Sequence, residues 1–378
     1  MEGGRETPFH RTLGAVDAVS SLSNPELLAM ASTPETGTMD LKPLRWWLTS
    51  VFLMIVAMTA IGGITRLTGS GLSMVVWQPL IGAIPPLNDA AWNLVFDQYK
   101  LTPQYLEVNS WMQLGDFQRI YFWEYVHRLV GRSIGLVVFV PWLYFLARRQ
   151  LSRPLALRTL AMLGLGGLQG LLGWYMVASG LVDLPRVSHL RLAAHLILAF
   201  GVAQYVLWVR LSLDPLALNA RPLTPRFRLA VGAYAALLVV QSTWGAFMAG
   251  TKAGHFADTF PDVLGHYLPT AFQGNSGLLT ATVFEPGAIH TTHRLLAWLC
   301  LVLGFVLVRQ LVRTTLWRLA WLMMALLSLQ FLLGALTVLM HVPTDIAVGH
   351  QVCGLLLLSA VTAILERGRR GPGFESLR

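Results

Sequence analysis

Eight stretches of about twenty apolar residues run through this chain, near 46–66, 123–146, 159–178, 189–209, 229–249, 291–312, 319–340 and 345–366. The hydrocarbon core of a bilayer calls for about 20 such residues per helix. The expectation is therefore an all-α membrane protein with eight transmembrane helices. Composition agrees: of 378 residues, 54% are hydrophobic and 12% charged, against about 25% charged in a soluble domain. Cys300 and Cys353 both sit inside apolar runs, so neither a disulfide framework nor a C-x-x-C metal site is expected.

The net charge of +9 is unevenly placed. Arg148, Arg149, Arg153 and Arg158 follow the second span, Arg210, Arg221, Arg226 and Arg228 the fourth, Arg309, Arg313 and Arg318 the sixth, and Arg367, Arg369, Arg370 and Arg378 the last. The intervening segments 67–122 and 250–289 are neutral or acidic. The positive-inside rule then puts both termini in the cytoplasm and the two long loops outside. Cations distributed this way suit a lipid surface, and no nucleic acid is expected as a partner. The first 45 residues lack an apolar core for a secretory signal and carry more acids than a mitochondrial presequence. They read as a disordered cytoplasmic tail of a bacterial protein, with Met30 and Met39 as candidate starts.

The halves repeat. LQGLLG at 168–173 recurs as LQFLLG at 329–334, and VHRLVGRSIG at 126–135 matches THRLLAWLCL at 292–301 through a His-Arg-Leu core. The expected architecture is two pseudo-symmetric four-helix bundles, 46–209 and 229–366, joined by a cytoplasmic linker 210–228 and followed by a tail 367–378. Such a repeat predicts two related sites without naming their ligand.

Histidine suggests the ligand. His127, His195, His293 and His350 each lie a turn or two inside an even-numbered span, so all four sit at similar depth in the outer half of the bundle. Ionisable groups within a span are costly and usually functional, and imidazole is a common axial ligand of haem. Bis-His ligation pairs His127 with His195 and His293 with His350. Four residues after each stands a small residue, Gly131, Ala199, Ala297 or Gly354, which would let a porphyrin plane approach the backbone. His189, His290 and His341 fall at the outer interface, where partly hydrated imidazoles need no ligand role.

GGITRLTGSGLSM at 62–74 and EYVHRLVGR at 124–132, with the two His-bearing LQxLLG halves, closely resemble the haem A synthase family of bacteria and mitochondria, over about residues 46–366. The resemblance implies oxidation of the C8 methyl group of haem O to a formyl group by successive hydroxylations, giving haem A for terminal oxidases. It implies that His127 and His195 ligate the substrate haem, that His293 and His350 ligate a resident haem b, and that Glu124 is the catalytic acid or base. Arg66, Arg128, Arg191 and Arg294 lie near the same outer plane and are candidate propionate contacts, since Arg pairs well with carboxylates. The implied setting is the bacterial inner membrane, with the haem sites toward the periplasm. Candidate partners are the haem O synthase, oxidase assembly factors and further copies of the chain.

Two departures matter. Residues 67–122 contain no Cys, so the chain resembles the members that lack a cysteine pair in the first outer loop. The position matching Glu124 in the second half is His290, so only one half carries the acid. A non-catalytic di-haem cytochrome exchanging electrons with quinone explains the histidines equally well but not that asymmetry. A transporter with a histidine proton relay would bind no haem.

Overall fold

A computed structural model describes residues 40–76, 81–181, 185–215, 221–266 and 277–370. Most of the N-terminal tail, 216–220 of the linker and 371–378 lie outside the described residues. Among those described, the protein is helical, with a single isolated bridge, Val263 to His266, as its only extended pairing.

The ten α-helices are α1 Lys42–Leu67, α2 Asp89–Lys100, α3 Leu114–Ala147, α4 Arg153–Ala178, α5 His189–Ser212, α6 Pro225–Thr251, α7 Leu278–Phe284, α8 Pro286–Leu311, α9 Trp317–Leu339 and α10 Thr344–Gly368. All but α2 and α7 are long and apolar enough to cross a membrane, so the eight expected spans are present. Proline stands in the first turn of α1, α4, α6 and α8, where its missing N–H costs nothing. Lipid offers no hydrogen bonds, so hydroxyls inside the spans turn back onto their own helix: Thr59 donates to the Ile55 carbonyl, Thr159 to Leu155 and Thr362 to Leu358.

The membrane helices pack as two rings. In the first, α1 packs on α3, α3 on α4, α4 on α5 and α5 back on α1. In the second, α6 packs on α8, α8 on α9, α9 on α10 and α10 on α6. The rings meet where α1 and α5 face α10, and where α5 faces α6. Apolar burial does not drive helices together in lipid, so close packing must. Gly250 of α6 lies directly against His189 of α5, and Gly304 of α8 leaves room for Leu327 and Tyr234. Helix α10, with Leu355, Leu357, Val361 and Ile364 all buried, is the most enclosed span.

The two ends of the bundle differ. At the arginine-rich end Asp214 pairs with Arg45, Arg210 and Arg367, while fully buried Glu366 pairs with Arg369 and Arg370. At the other end α3 begins at Leu114 rather than near 123. Its extra turns pair Phe117 with Phe96 and Tyr99, and Tyr121 with Trp92, in an aromatic cap. Tyr99 donates to Gln104, whose amide donates to the Gly69 carbonyl, so the cap is tied to the end of α1. Burial pushes the Tyr99 phenol up from its ordinary range, which keeps it a donor.

Candidate functional site

His127 rises from α3 and His195 from α5; His293 rises from α8 and His350 from α10. Each pair comes from helices that stand diagonally across one ring and are not among its packed neighbours. The imidazoles of His293 and His350 face each other with ring centroids 6.4 Å apart and planes at 76°. His127 and His195 are close enough to interact electrostatically.

Every one of these imidazoles is seated on a glycine of the preceding span. A methyl group built on Gly62 of α1 would come within 3.0 Å of His127 Cε1, and one on Gly173 of α4 within 2.9 Å of His195 Cε1. Gly245 of α6 would meet His293 Cε1 at 3.2 Å and Gly334 of α9 would meet His350 Cε1 at 2.9 Å. Only the absence of a side chain lets the flat ring lie against the neighbouring backbone.

One turn before each seat lies a second recurring position, on the same helix face by i,i+4 spacing. Gln169 places its amide nitrogen 3.2 and 3.3 Å from the two ring nitrogens of His195. Gln241 reaches His293 Nε2 at 3.4 Å, and Gln330 reaches His350 Nε2 at 3.3 Å. His350 Nδ1 also lies 3.0 Å from the Gln330 carbonyl. In all three glutamines Oε1 is buried with no partner. In the first pair the matching residue is Met58. Two of the small residues after the histidines receive these side chains: a methyl on Gly131 would meet Met58 Cε at 3.4 Å, and one on Gly354 would meet Gln330 Nε2 at 3.3 Å.

Glu124, three residues before His127, is 3% exposed. Its Oε2 accepts from Ser73 Oγ at 2.7 Å and Met74 N–H at 2.8 Å, and its Oε1 from Arg128 Nε at 3.1 Å and Nη2 at 2.5 Å. Arg128 also donates to the Met74 carbonyl. In the second ring His290, expected at a hydrated interface, is instead fully buried with Nδ1 2.7 Å from the Ala253 carbonyl. Arg294 donates to the Asp262 and Thr259 carbonyls. The residues three before and one after the histidine thus hold the segment that follows the preceding span, with Glu124 and Arg128 in one ring and His290 and Arg294 in the other. Backbone N–H donation from Gly265 holds the half-buried Asp262 carboxyl below its usual range.

Of the other cations, Arg66 donates to the Ala249 and Gly250 carbonyls, and Arg191 donates to the Tyr175 carbonyl and lies over the Tyr175 ring. Arg66 Nε and Arg294 Nε are buried without partners.

The family model described as "Cytochrome oxidase assembly protein" matches residues 45–362. A protein named "Heme A synthase" from Nitrosospira multiformis is 40% identical over 339 residues, 87% of this chain and 94% of its own. The chain belongs to the haem A synthase family. Relatives bearing the same name in Azorhizobium caulinodans and Sphingopyxis alaskensis are 40% and 38% identical, and the alignments cover 91% and 93% of this chain and 99% and 97% of theirs.

The histidines are the part of this candidate site that the sequence makes visible. Sequence reading did not identify the glycine seats, the three glutamines or Met58. A signal existed: Gln169 and Gly173 belong to LQGLLG, Gln330 and Gly334 to LQFLLG, and Gln241 and Gly245 share their spacing. Ser73 and Met74 had none, because their partner lies about fifty positions away.

Proposed function

We propose that the chain oxidises haem O to haem A, with His127 and His195 holding the substrate and His293 and His350 holding a resident haem b. The observation that carries this is the 6.4 Å separation of the His293 and His350 rings. Imidazole nitrogens bind metal at about 2 Å, so a metal between two imidazoles sets ring centres about 6 Å apart. Among the described residues no group of three or more His, Cys, Asp or Glu could hold a metal ion. A porphyrin supplies four of iron's ligands itself and asks the protein for only the axial two. The residues therefore fit a haem.

In this reading 46–209 is the substrate half and 229–366 the cofactor half, two related bundles joined by 210–228. Haem b supplies one-electron transfer when bound. The chain's own residues do the rest. Oxidation of a methyl group to a formyl group releases electrons and protons and favours groups that stabilise positive charge. All four acceptor positions of the Glu124 carboxylate are occupied, so it serves as a fixed negative charge beside the His127 site. Arg66 and Arg294 keep a free buried donor for propionates. Arg128 and Arg191 would have to share donors already given to Glu124 and Tyr175. The charge bias supports a reading with both termini in the cytoplasm of a bacterium and both sites toward the periplasm. A haem O synthase would supply the substrate and an oxidase would consume the product.

The test is to purify the full chain, supply haem O, and resolve the pigments chromatographically. A formyl haem is expected. Glu124→Gln should keep both haems and lower conversion by about 10²-fold or more. Two stably bound haems with haem O unchanged after turnover would point instead to an electron-transfer cytochrome. A colourless protein that takes up no haem would overturn both readings.

A further inference from the structure

At the arginine-rich end, a cavity of about 1170 Å³ lies where α5, α8 and α10 end and α6 and α9 begin. Its floor is formed by buried Leu211, Leu223 and Arg370, and its rim by exposed Arg221, Arg313, Arg367 and Trp317. Four arginines thus line it against one acid, Asp214, which is already met by Arg45, Arg210 and Arg367. No acid among the described residues pairs with Arg221 or Arg313. Helix-end carbonyls that would repel an anion are occupied. Arg370 donates to those of Leu211 and Asp214, and the Leu223 N–H donates to that of Gly368.

We infer that this cavity binds the phosphate-bearing head group of an anionic phospholipid, held across the joint between the two rings. Guanidinium groups grip phosphate oxygens in pairs, and basic pockets between membrane helices take anionic head groups. The depth fits. Trp317 and Trp321, one turn apart on α9, are 47% and 55% exposed, and tryptophan gathers at the level of the head groups. The walls fit as well: Leu223, Phe227 and Leu316 offer an apolar surface to an acyl chain, which a free phosphate would leave unused. Volume suffices, since ligand sites commonly run to about 300–1,000 Å³. Cations scattered over this end attract anionic lipid only loosely. Here two unmatched arginines stand over a closed floor between helices, so one lipid is held in one place.

The experiment takes the full chain, delipidated in a neutral detergent, and titrates it with phosphatidylglycerol, phosphatidylcholine or inorganic phosphate. Native mass spectrometry counts retained adducts, and thermal unfolding gives a midpoint. Phosphatidylglycerol should leave one retained adduct and raise the midpoint, and the other two at the same concentration should do neither. Arg221→Gln combined with Arg313→Gln should weaken phosphatidylglycerol binding about tenfold or more, with helical circular dichroism unchanged. Arg148→Gln combined with Arg153→Gln removes two exposed cations of the same end outside the cavity and should bind as wild type does. Equal weakening in the two double variants would reduce the effect to diffuse surface charge and overturn the site. An equal midpoint shift from inorganic phosphate would make the occupant a soluble anion and overturn the lipid.

Discussion

Arg128 closes on Glu124 from one helical turn away, with Nη2 at 2.5 Å and Nε at 3.1 Å from the same carboxylate oxygen. The other oxygen is taken by Ser73 and the Met74 N–H. The residue that the family resemblance marks as the catalytic acid or base is thus also the pin that fastens Ser73 and Met74 to α3. Its counterpart His290 fastens the segment after α6 by one bond to the Ala253 carbonyl.

Removing the arginine should therefore cost stability before it costs anything else. Arg128→Ala leaves Glu124 buried without its partner, a change that costs about 3–5 kcal/mol. Thermal unfolding in detergent should show a lowered midpoint, and Glu124→Gln combined with Arg128→Met should recover part of it. An unchanged midpoint in Arg128→Ala would mean that the pair carries no structural load.

The glycine seats predict selective haem loss. In Gly334→Ala the new methyl meets His350 Cε1 at 2.9 Å, so the ring must move. Retention of haem b should weaken by about tenfold or more, while Gly62→Ala should deplete the substrate haem instead. Gly170→Ala, where nothing lies within 4 Å, is the control and should match wild type. Pyridine haemochrome analysis by haem type decides the matter; equal haem contents in all three would remove the seats from the site.

Packing glycines should behave differently. A methyl on Gly304 would lie 2.5 Å from Leu327 Cδ2 and 2.6 Å from Tyr234 Oη, between α8, α9 and α6. Overpacking of this kind costs about 1–3 kcal/mol. Gly304→Ala should lower the unfolding midpoint with no preference for one haem over the other. Selective loss of one haem would reassign it to the site.

At the arginine-rich end, Arg370 bonds Glu366 and the Leu211 and Asp214 carbonyls, joining α10 to the end of α5. Glu366 is fully buried. Arg370→Ala should destabilise by about 3–5 kcal/mol, more than Arg313→Ala on the exposed α8–α9 turn. Equal midpoints for the two variants would show that Arg369 alone suffices for Glu366.

Much of this protein is legible along the chain. The eight spans can be counted because crossing lipid demands a continuous apolar run, and that requirement is local. The four histidines stand out because a polar ring in such a run is costly. The beginning of α3 at Leu114 was not legible. Its first turns mix Asp116, Gln118 and Arg119 with Phe117 and Ile120, and no hydropathy run marks residues that are held by an aromatic cap rather than by lipid. The Glu124–Arg128 pair could have been read from its i,i+4 spacing. Ser73 and Met74 could not.

Sequence alone determined that the chain crosses a membrane eight times, that imidazoles sit at matched depths within it, and that only one half carries an acid beside them. Tertiary structure decided which backbone each ring rests on, that three of the rings have an amide beside them, and that Glu124 is already engaged. The division has a physical cause. Hydropathy and helical period act between residues close along the chain, whereas the seat of an imidazole is set by a neighbouring helix, whose facing side is fixed only when the rings close.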